Sequence, residues 1–201
     1  MKVELIKVNG DWKDIPKFAG ISHGKENVKD SKRLLKDLYK WGHMEPFEFV
    51  SFVWELTIPV FLERQILRHR ISSKVEQSMR YVALKPSLKD AYLPFSSDTS
   101  KGEEIAEAYS RCFRAYEKLI EAGVPKEQAR VVLPLGLNTK MFVSFNARSF
   151  DNFLRLRLNK HAQPEMQELA REMLESLAEK PESLELAKLY AERYLKGVFQ
   201  K

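Results

Sequence analysis

Leu34, Leu35, Leu38 and Trp41 fall at spacings of three and four with charged residues between them. That spacing predicts an amphipathic helix over Lys29–Trp41, which Gly42 can close. From Phe47 to Ile58 the rhythm changes. Phe-Glu-Phe-Val-Ser-Phe-Val-Trp-Glu-Leu-Thr-Ile alternates and then becomes nearly continuous in β-favouring residues, so it reads as a strand with at least one buried face. Pro59 then opens a short helix through Arg68, with proline near the first helical position. Residues 71–99 gather Ser72-Ser73, Lys85-Pro86-Ser87, Leu93-Pro94 and Ser96-Ser97-Asp98 without a period. They read as a long loop, and loops of that length in a compact domain tend to be functional.

A long helix is expected from about Gly102 to Ala122, ended by Gly123, and Pro125 opens a short one through Val132. Lys140–Phe145 reads as a second strand, and Ser149 is placed to cap a helix through Arg157. From Pro164 onward the pattern is helical. Met1-Lys2-Val3-Glu4-Leu5-Ile6 reads as the start of a strand. The expected fold class is α+β: a helix-rich single domain over residues 1–201, around a small, mainly antiparallel sheet. No repeat, low-complexity tract or dividing linker interrupts it.

Composition narrows the classes. Hydrophobic residues at 44% with charged residues at 31% suit a globular chain. No apolar run reaches the roughly 18 residues that suggest a membrane span. The first residues lack the features of a signal peptide, so the default expectation is cytoplasmic. Cys112 is the one cysteine. It excludes an intrachain disulfide and falls mid-helix, where cysteine is usually an apolar filler. His23, His43, His69 and His161 show no metal spacing, so no metal is expected. A formal net charge of +6 makes anions the expected partners.

The charge is concentrated between Arg64 and Arg80. Alone, Arg68-His69-Arg70 is a cationic helix end suited to the helix dipole. Gln65 lies one turn earlier, and Glu76, Gln77, Ser78 and Arg80 follow a short loop. Guanidinium groups match phosphate oxygens in pairs, while glutamine, serine and backbone amides recognise the edge of a planar heterocycle. This set suits a nucleotide. A second set comprises Arg130, Asn146-Ala147-Arg148-Ser149, Asn152, Arg157 and His161. Arg148 and Asn152 fall near a helix start that favours anions. Arg157 lies among Leu154, Leu156 and Leu158, so it needs either a carboxylate partner or a ligand.

Arg68-His69-Arg70, seven residues and then Ser78 resembles the signature of flavin-dependent thymidylate synthases. So do Gly42-His43, Pro46-Phe47-Glu48, Gly123-Val124-Pro125 through Ala129-Arg130, Leu133-Pro134-Leu135, Asn146-Ala147-Arg148-Ser149 with Asn152-Phe153-Leu154, Leu156-Arg157 and His161-Ala162-Gln163, in the family's order. The likeness covers about residues 38–165. It implies reductive methylation of dUMP to dTMP, with methylenetetrahydrofolate as carbon donor, FAD as redox carrier and NADPH as reductant, in a homotetramer. It also implies dUMP binding by Gln65, Ile66, Leu67, Arg68, Glu76, Gln77, Ser78, Met79, Arg80, Arg130 and Arg157. FAD binding would fall to Glu45, Arg68, His69, Arg70, Glu76, Asn146, Ala147, Arg148 and Asn152, with His43 and His161 near flavin and folate.

Methylation at carbon 5 needs electron density there, and a cation at the ring edge stabilises negative charge on the pyrimidine. Arg157 is the candidate for that task. Ser78 is assigned to substrate positioning, because no general base is assigned to make it a nucleophile. No enzyme nucleophile is required, which agrees with the setting of Cys112. The Rossmann Gly-x-Gly-x-x-Gly is absent, so the cofactors must bind by another route. Glu45, Phe49 and Val75 depart from the commoner family pattern. The alternatives are a basic nucleic-acid-binding module, disfavoured because no recognised motif appears, and a catalytically silent nucleotide-binding relative.

Overall fold

A computed structural model describes residues 1–22, 24, 28–94 and 99–195. His23 and the turn formers Ser96, Ser97 and Asp98 lie outside the described residues, as does the end of the helical pattern after residue 195. The architecture is a helix-rich α+β fold around a small antiparallel sheet. Four strands, β1 (Lys2–Asn9), β2 (Ser51–Pro59), β3 (Ser73–Glu76) and β4 (Asn138–Asn146), form it in the order β1-β2-β4-β3. The eight α-helices of the described residues are α1 (Asp14–Ile21), α2 (Ser31–Trp41), α3 (Val60–Ile66), α4 (Ser100–Glu121), α5 (Lys126–Ala129), α6 (Ala147–Arg157), α7 (Pro164–Leu177) and α8 (Leu184–Tyr194). The chain groups into two compact units. The first contains Met1–Lys2, Thr57–Arg68 and Val75–Met141; the second contains Val3–Leu56, His69–Lys74 and Phe142–Lys201.

The second unit is built on aromatic packing. Phe52, Trp54, Phe145, Phe150 and Phe153 are all buried. Their rings meet at centroid distances from 4.8 Å for Trp54–Phe150 to 6.4 Å for Trp54–Phe145. The one polar atom of Trp54 is satisfied, since its indole N–H donates to Ser176 Oγ at 2.9 Å. Helix α2 matches its 3,4 spacing. Asp30 caps it by accepting from the Arg33 amide at 3.0 Å, and Gly42 closes it in the left-handed region at φ 77°. Leu35 and Leu38 are buried, whereas Trp41 is turned outward and 62% exposed.

The structure moves several expected boundaries. The strand expected from Phe47 begins at Ser51, because Pro46 opens a 3₁₀ turn over Glu45–Phe49. The loop of residues 71–99 contains β3. That strand lies at the edge of the sheet with three of its four residues exposed, so it carries no hydrophobic alternation to read. Helix α1 was not legible because Pro16 and Gly20 interrupt its pattern, yet Pro16 lies in the first turn, where proline is tolerated. The C-terminal helix is two helices separated near Pro181. Asn146, not Ser149, caps α6: its side-chain oxygen accepts from the Ser149 amide at 2.8 Å, and Ser149 occupies the third helical position.

In the first unit, the turn before β4 is held by backbone. Leu135 O accepts from Phe61 N at 3.1 Å, Leu137 O from Val60 N at 3.0 Å, and Gly136 O from Tyr92 N at 2.8 Å. A Cβ on Gly136 would fall inside the van der Waals envelope of the Tyr109 hydroxyl and ring. Gly136→Ala is therefore expected to destabilise by about 1–3 kcal/mol, as overpacking does. Chemical denaturation will show a lower midpoint, and the loss should shrink in a Tyr109→Phe background.

Candidate functional site

Arg68-His69-Arg70 follows α3 and divides by burial. His69 is 7% exposed, whereas Arg68 and Arg70 are exposed. The His69 ring sits edge-on to Phe153 at 5.0 Å and to Phe145 at 6.2 Å, so the aromatic core of the second unit forms its seat. Arg157, the last residue of α6, donates from Nε to His69 Nε2 at 2.9 Å. With Nε2 accepting, the imidazole proton belongs on Nδ1 and the ring is neutral. Burial, then the Arg157 and Lys74 charges, lower its pKa from 6.5 to about 4. Burial also draws the Arg157 pKa below its ordinary value, though a guanidinium stays charged. Arg157 was expected to need a carboxylate or a ligand; its Nε donates to a neutral imidazole.

Lys74 of β3 was not singled out from the sequence. Its Nζ donates to the His69 carbonyl at 2.6 Å, and Ser72 Oγ donates to the same oxygen at 2.6 Å. These bonds fix the backbone at the centre of the arginine pair. No sequence signal marks a lysine on a polar edge strand for such a task.

The start of α6 carries the rest of that set. Ala147 is buried and its amide donates to Val50 O at 2.8 Å, which anchors the helix to the strand-side backbone. Arg148 is exposed and pairs with Glu48 at 2.8 Å, while Asn152 is exposed and its Oδ1 accepts from Arg155 at 2.8 Å. The Glu48–Arg148 pair is about half exposed on both sides, so its direct contribution to stability is small. Its effect is to orient a cation beside the helix start. His161 lies in the loop after α6, exposed, with its backbone amide on Asn159 Oδ1 at 3.0 Å.

In the first unit, Gln65 is half-buried and Ile66 is fully buried, while Leu67 is exposed. The Ile66 side chain is thus core, leaving only its backbone for a ligand. Glu76 and Gln77 are exposed at the end of β3, where the Gln77 amide donates to Lys140 O at 2.9 Å. Ser78 Oγ accepts from the Arg80 amide at 3.3 Å, and Ser78 O accepts from the amides of Tyr81 and Val82. A tight turn at Ser78 therefore presents the exposed Arg80, with Met79 half-buried. Arg130 is exposed in the 3₁₀ turn Arg130–Val132.

A groove of about 990 Å³ opens in the second unit. Phe18, Leu34, Trp41 and Phe49 give it aromatic and aliphatic walls, with His43 and Glu45 among its lining residues. Its size and mixed lining are those of a small-molecule site. The Trp41 and His43 rings meet edge-on at 6.2 Å, and both residues are exposed.

These features define a helix-rich α+β chain in which the Arg157 guanidinium meets a buried neutral imidazole. The family model described as thymidylate synthase complementing protein matches residues 4–181. Flavin-dependent thymidylate synthases from Pseudothermotoga lettingae and Thermotoga neapolitana are each 39% identical over 178 residues, which is 84% of this chain and 80% and 81% of theirs. One from Thermus thermophilus is 31% identical across 98% of this chain and 78% of its own. The chain belongs to the flavin-dependent thymidylate synthase family of enzymes. The UMP/dUMP methylase PolB from Streptomyces cacaoi, bound with 5-Br dUMP, shares the fold at a TM-score of 0.81 and 24% identity, over 95% of this chain and 94% of that one. Among the described residues no helix is long and apolar enough to cross a membrane.

Proposed function

We propose that this chain reductively methylates dUMP to dTMP, with methylenetetrahydrofolate as carbon donor, FAD as bound cofactor and NADPH as reductant. The observation that carries the reading is 39% identity, over 84% of the chain, to proteins named for that activity. The residue types support it. Exposed Arg68, Arg80 and Arg130 offer forks for a phosphate, and Gln65, Gln77 and Ser78 offer donors and acceptors for a uracil edge. Arg157 is the proposed ring-activating cation.

The chain also has the chemistry to hold FAD. Arg70 and Arg148 are exposed cations, and the Asn146-capped start of α6 adds a dipole that favours a pyrophosphate. The aromatic groove, with His43 among its lining residues, suits a flat ring system, and the family likeness suggests His161 for the flavin's vicinity. Glu45 is acceptor-only, so its fitting role is to take a hydroxyl or ring N–H and not to meet a phosphate. Bound FAD would supply the hydride chemistry. The chain's own part is to bind and orient dUMP, hold Arg157 charged at the ring edge and keep His69 neutral beside it.

Self-association to a homotetramer accompanies the reading. Val131 at 78%, Tyr81 at 75% and Val75 at 70% exposure are apolar side chains that an interface would cover. Purified protein should take up FAD on titration, turn yellow and release tritium from carbon 5 of labelled dUMP in the presence of folate and NADPH. FAD and dUMP binding without tritium release would favour the silent relative, and a protein that takes up neither defeats both readings.

A further inference from the structure

Asp151 lies on α6 directly before Asn152, and its side chain is 13% exposed. Its Oδ1 accepts two phenolic protons, from Tyr39 of α2 at 2.5 Å and from Tyr194 of α8 at 2.8 Å. The Arg193 guanidinium reaches Oδ2 at 3.8 Å and lies over the rings of Tyr39 and Tyr194 at 5.1 Å and 5.4 Å. Burial first, and then the Asp151 charge, raise the pKa of both tyrosines, so each keeps its proton and stays a donor. One turn earlier on α6, Tyr190 of α8 donates to the Ala147 carbonyl at 2.9 Å. The Tyr194 hydroxyl also approaches the Asp151 carbonyl at 3.3 Å. Helix α8 thus grips α6 at two successive turns, and α2 meets that grip through the Tyr39 hydroxyl.

A mostly buried carboxylate carries a desolvation cost that apolar packing would avoid. What such a hydrogen-bonded network gives in return is a fixed geometry. The two elements that it ties are informative. Tyr39 lies in the last turn of α2, two residues before Trp41 and four before His43, with only the left-handed Gly42 between Trp41 and His43. Asp151 is flanked on α6 by Arg148, Asn152 and Arg157. The Tyr39 ring is further held between Phe47 at 6.0 Å and Tyr190 at 5.9 Å, so movement of its hydroxyl must move the end of α2 with it.

We propose that Asp151 is a positioning residue: through Tyr39 it sets the Trp41–His43 segment, which lines the groove, against the face of α6 that carries Asn152 and Arg148. The cofactor consequence rests on the function proposed above; the geometric claim does not. Nothing in Asp151 or Tyr39 touches the groove, so the effect on a ligand is indirect.

The test uses full-length protein labelled with 5-fluorotryptophan, with Trp41 assigned by Trp41→Phe. In ligand-free protein, Asp151→Asn and Tyr39→Phe should each shift or broaden the Trp41 fluorine resonance while the Trp12 resonance stays in place. The FAD dissociation constant should rise about tenfold, which is the scale of coupling expected in one hydrogen-bonded network. In a His43→Ala background, the Asp151→Asn effect on FAD binding should largely disappear. A Trp41 resonance identical to that of the parent protein, or equal shifts at Trp12, overturns the positioning role. A shifted Trp41 with unchanged FAD affinity overturns its extension to the cofactor. If the parent protein takes up no FAD, the function reading fails while the ligand-free spectra still decide the geometry. Tyr39→Phe, which keeps the ring and loses only the hydroxyl, serves where Asp151→Asn does not fold.

Discussion

Arg157→Ala is expected to lower dTMP formation by about 10³-fold, the upper range for removing one group that stabilises developing charge in a site. The guanidinium is tethered at the end of α6 and held by the His69 ring at 2.9 Å, in a position where burial already strains its charge. Such a cation gains more from an anionic partner than an exposed arginine does, because less water competes for it. In its proposed role it therefore meets negative charge that grows on the pyrimidine as carbon 5 becomes nucleophilic. Arg157→Lys should be rescued poorly, since a point charge cannot donate to the imidazole and to a ring oxygen in the same plane. The tritium-release assay should fall with both variants, and more in kcat than in KM if the interaction strengthens along the reaction. Unchanged turnover in Arg157→Ala would remove the residue from the mechanism.

Much of the frame was legible because local rules and burial agree. Leu35 and Leu38 lie on the buried face that their spacing demanded, and Phe52, Trp54, Leu56 and Ile58 alternate into the core along β2. Legibility failed where the signal is not local. Strand β3 is polar because it lies at the edge, and α1 hides behind Pro16 and Gly20. The same division holds for the site. Arginine, asparagine and serine in the two polar sets are what suggest a nucleotide in the sequence. The pairing of Arg157 with His69, 88 positions apart in sequence, belongs to tertiary structure. Nor could spacing distinguish Ile66, whose side chain is fully buried, from its exposed neighbour Leu67. Asp151 reads in sequence as an ordinary helix-surface carboxylate. Only the arrival of Tyr39 and Tyr194 makes it a junction.

Acid should loosen the protein in a window that His69 defines. In the unfolded chain its imidazole takes a proton near pH 6.5; in the folded chain it does so only near pH 4. Between those values the unfolded state binds more protons, so stability falls as pH falls. The contribution is complete above pH 6.5, erodes through the window and is spent below about pH 4. Its size is about 3.5 kcal/mol at most, taking about 1.4 kcal/mol for each pH unit of separation, and less to the extent that solvent screens the ring. The cause is physical crowding of charge: a protonated ring would lose Nε2 as the acceptor for Arg157, add a cation beside Arg157 and Lys74, and do so against the rings of Phe145 and Phe153. Urea unfolding at steps between pH 7.5 and pH 4.5 measures the slope. His69→Gln offers an amide oxygen to Arg157 without a titrating group, so its stability should decline less steeply over the same range. Parallel slopes for the two proteins would place the acid sensitivity elsewhere. Because this measurement needs neither FAD nor dUMP, it probes the Arg68-His69-Arg70 centre independently of turnover.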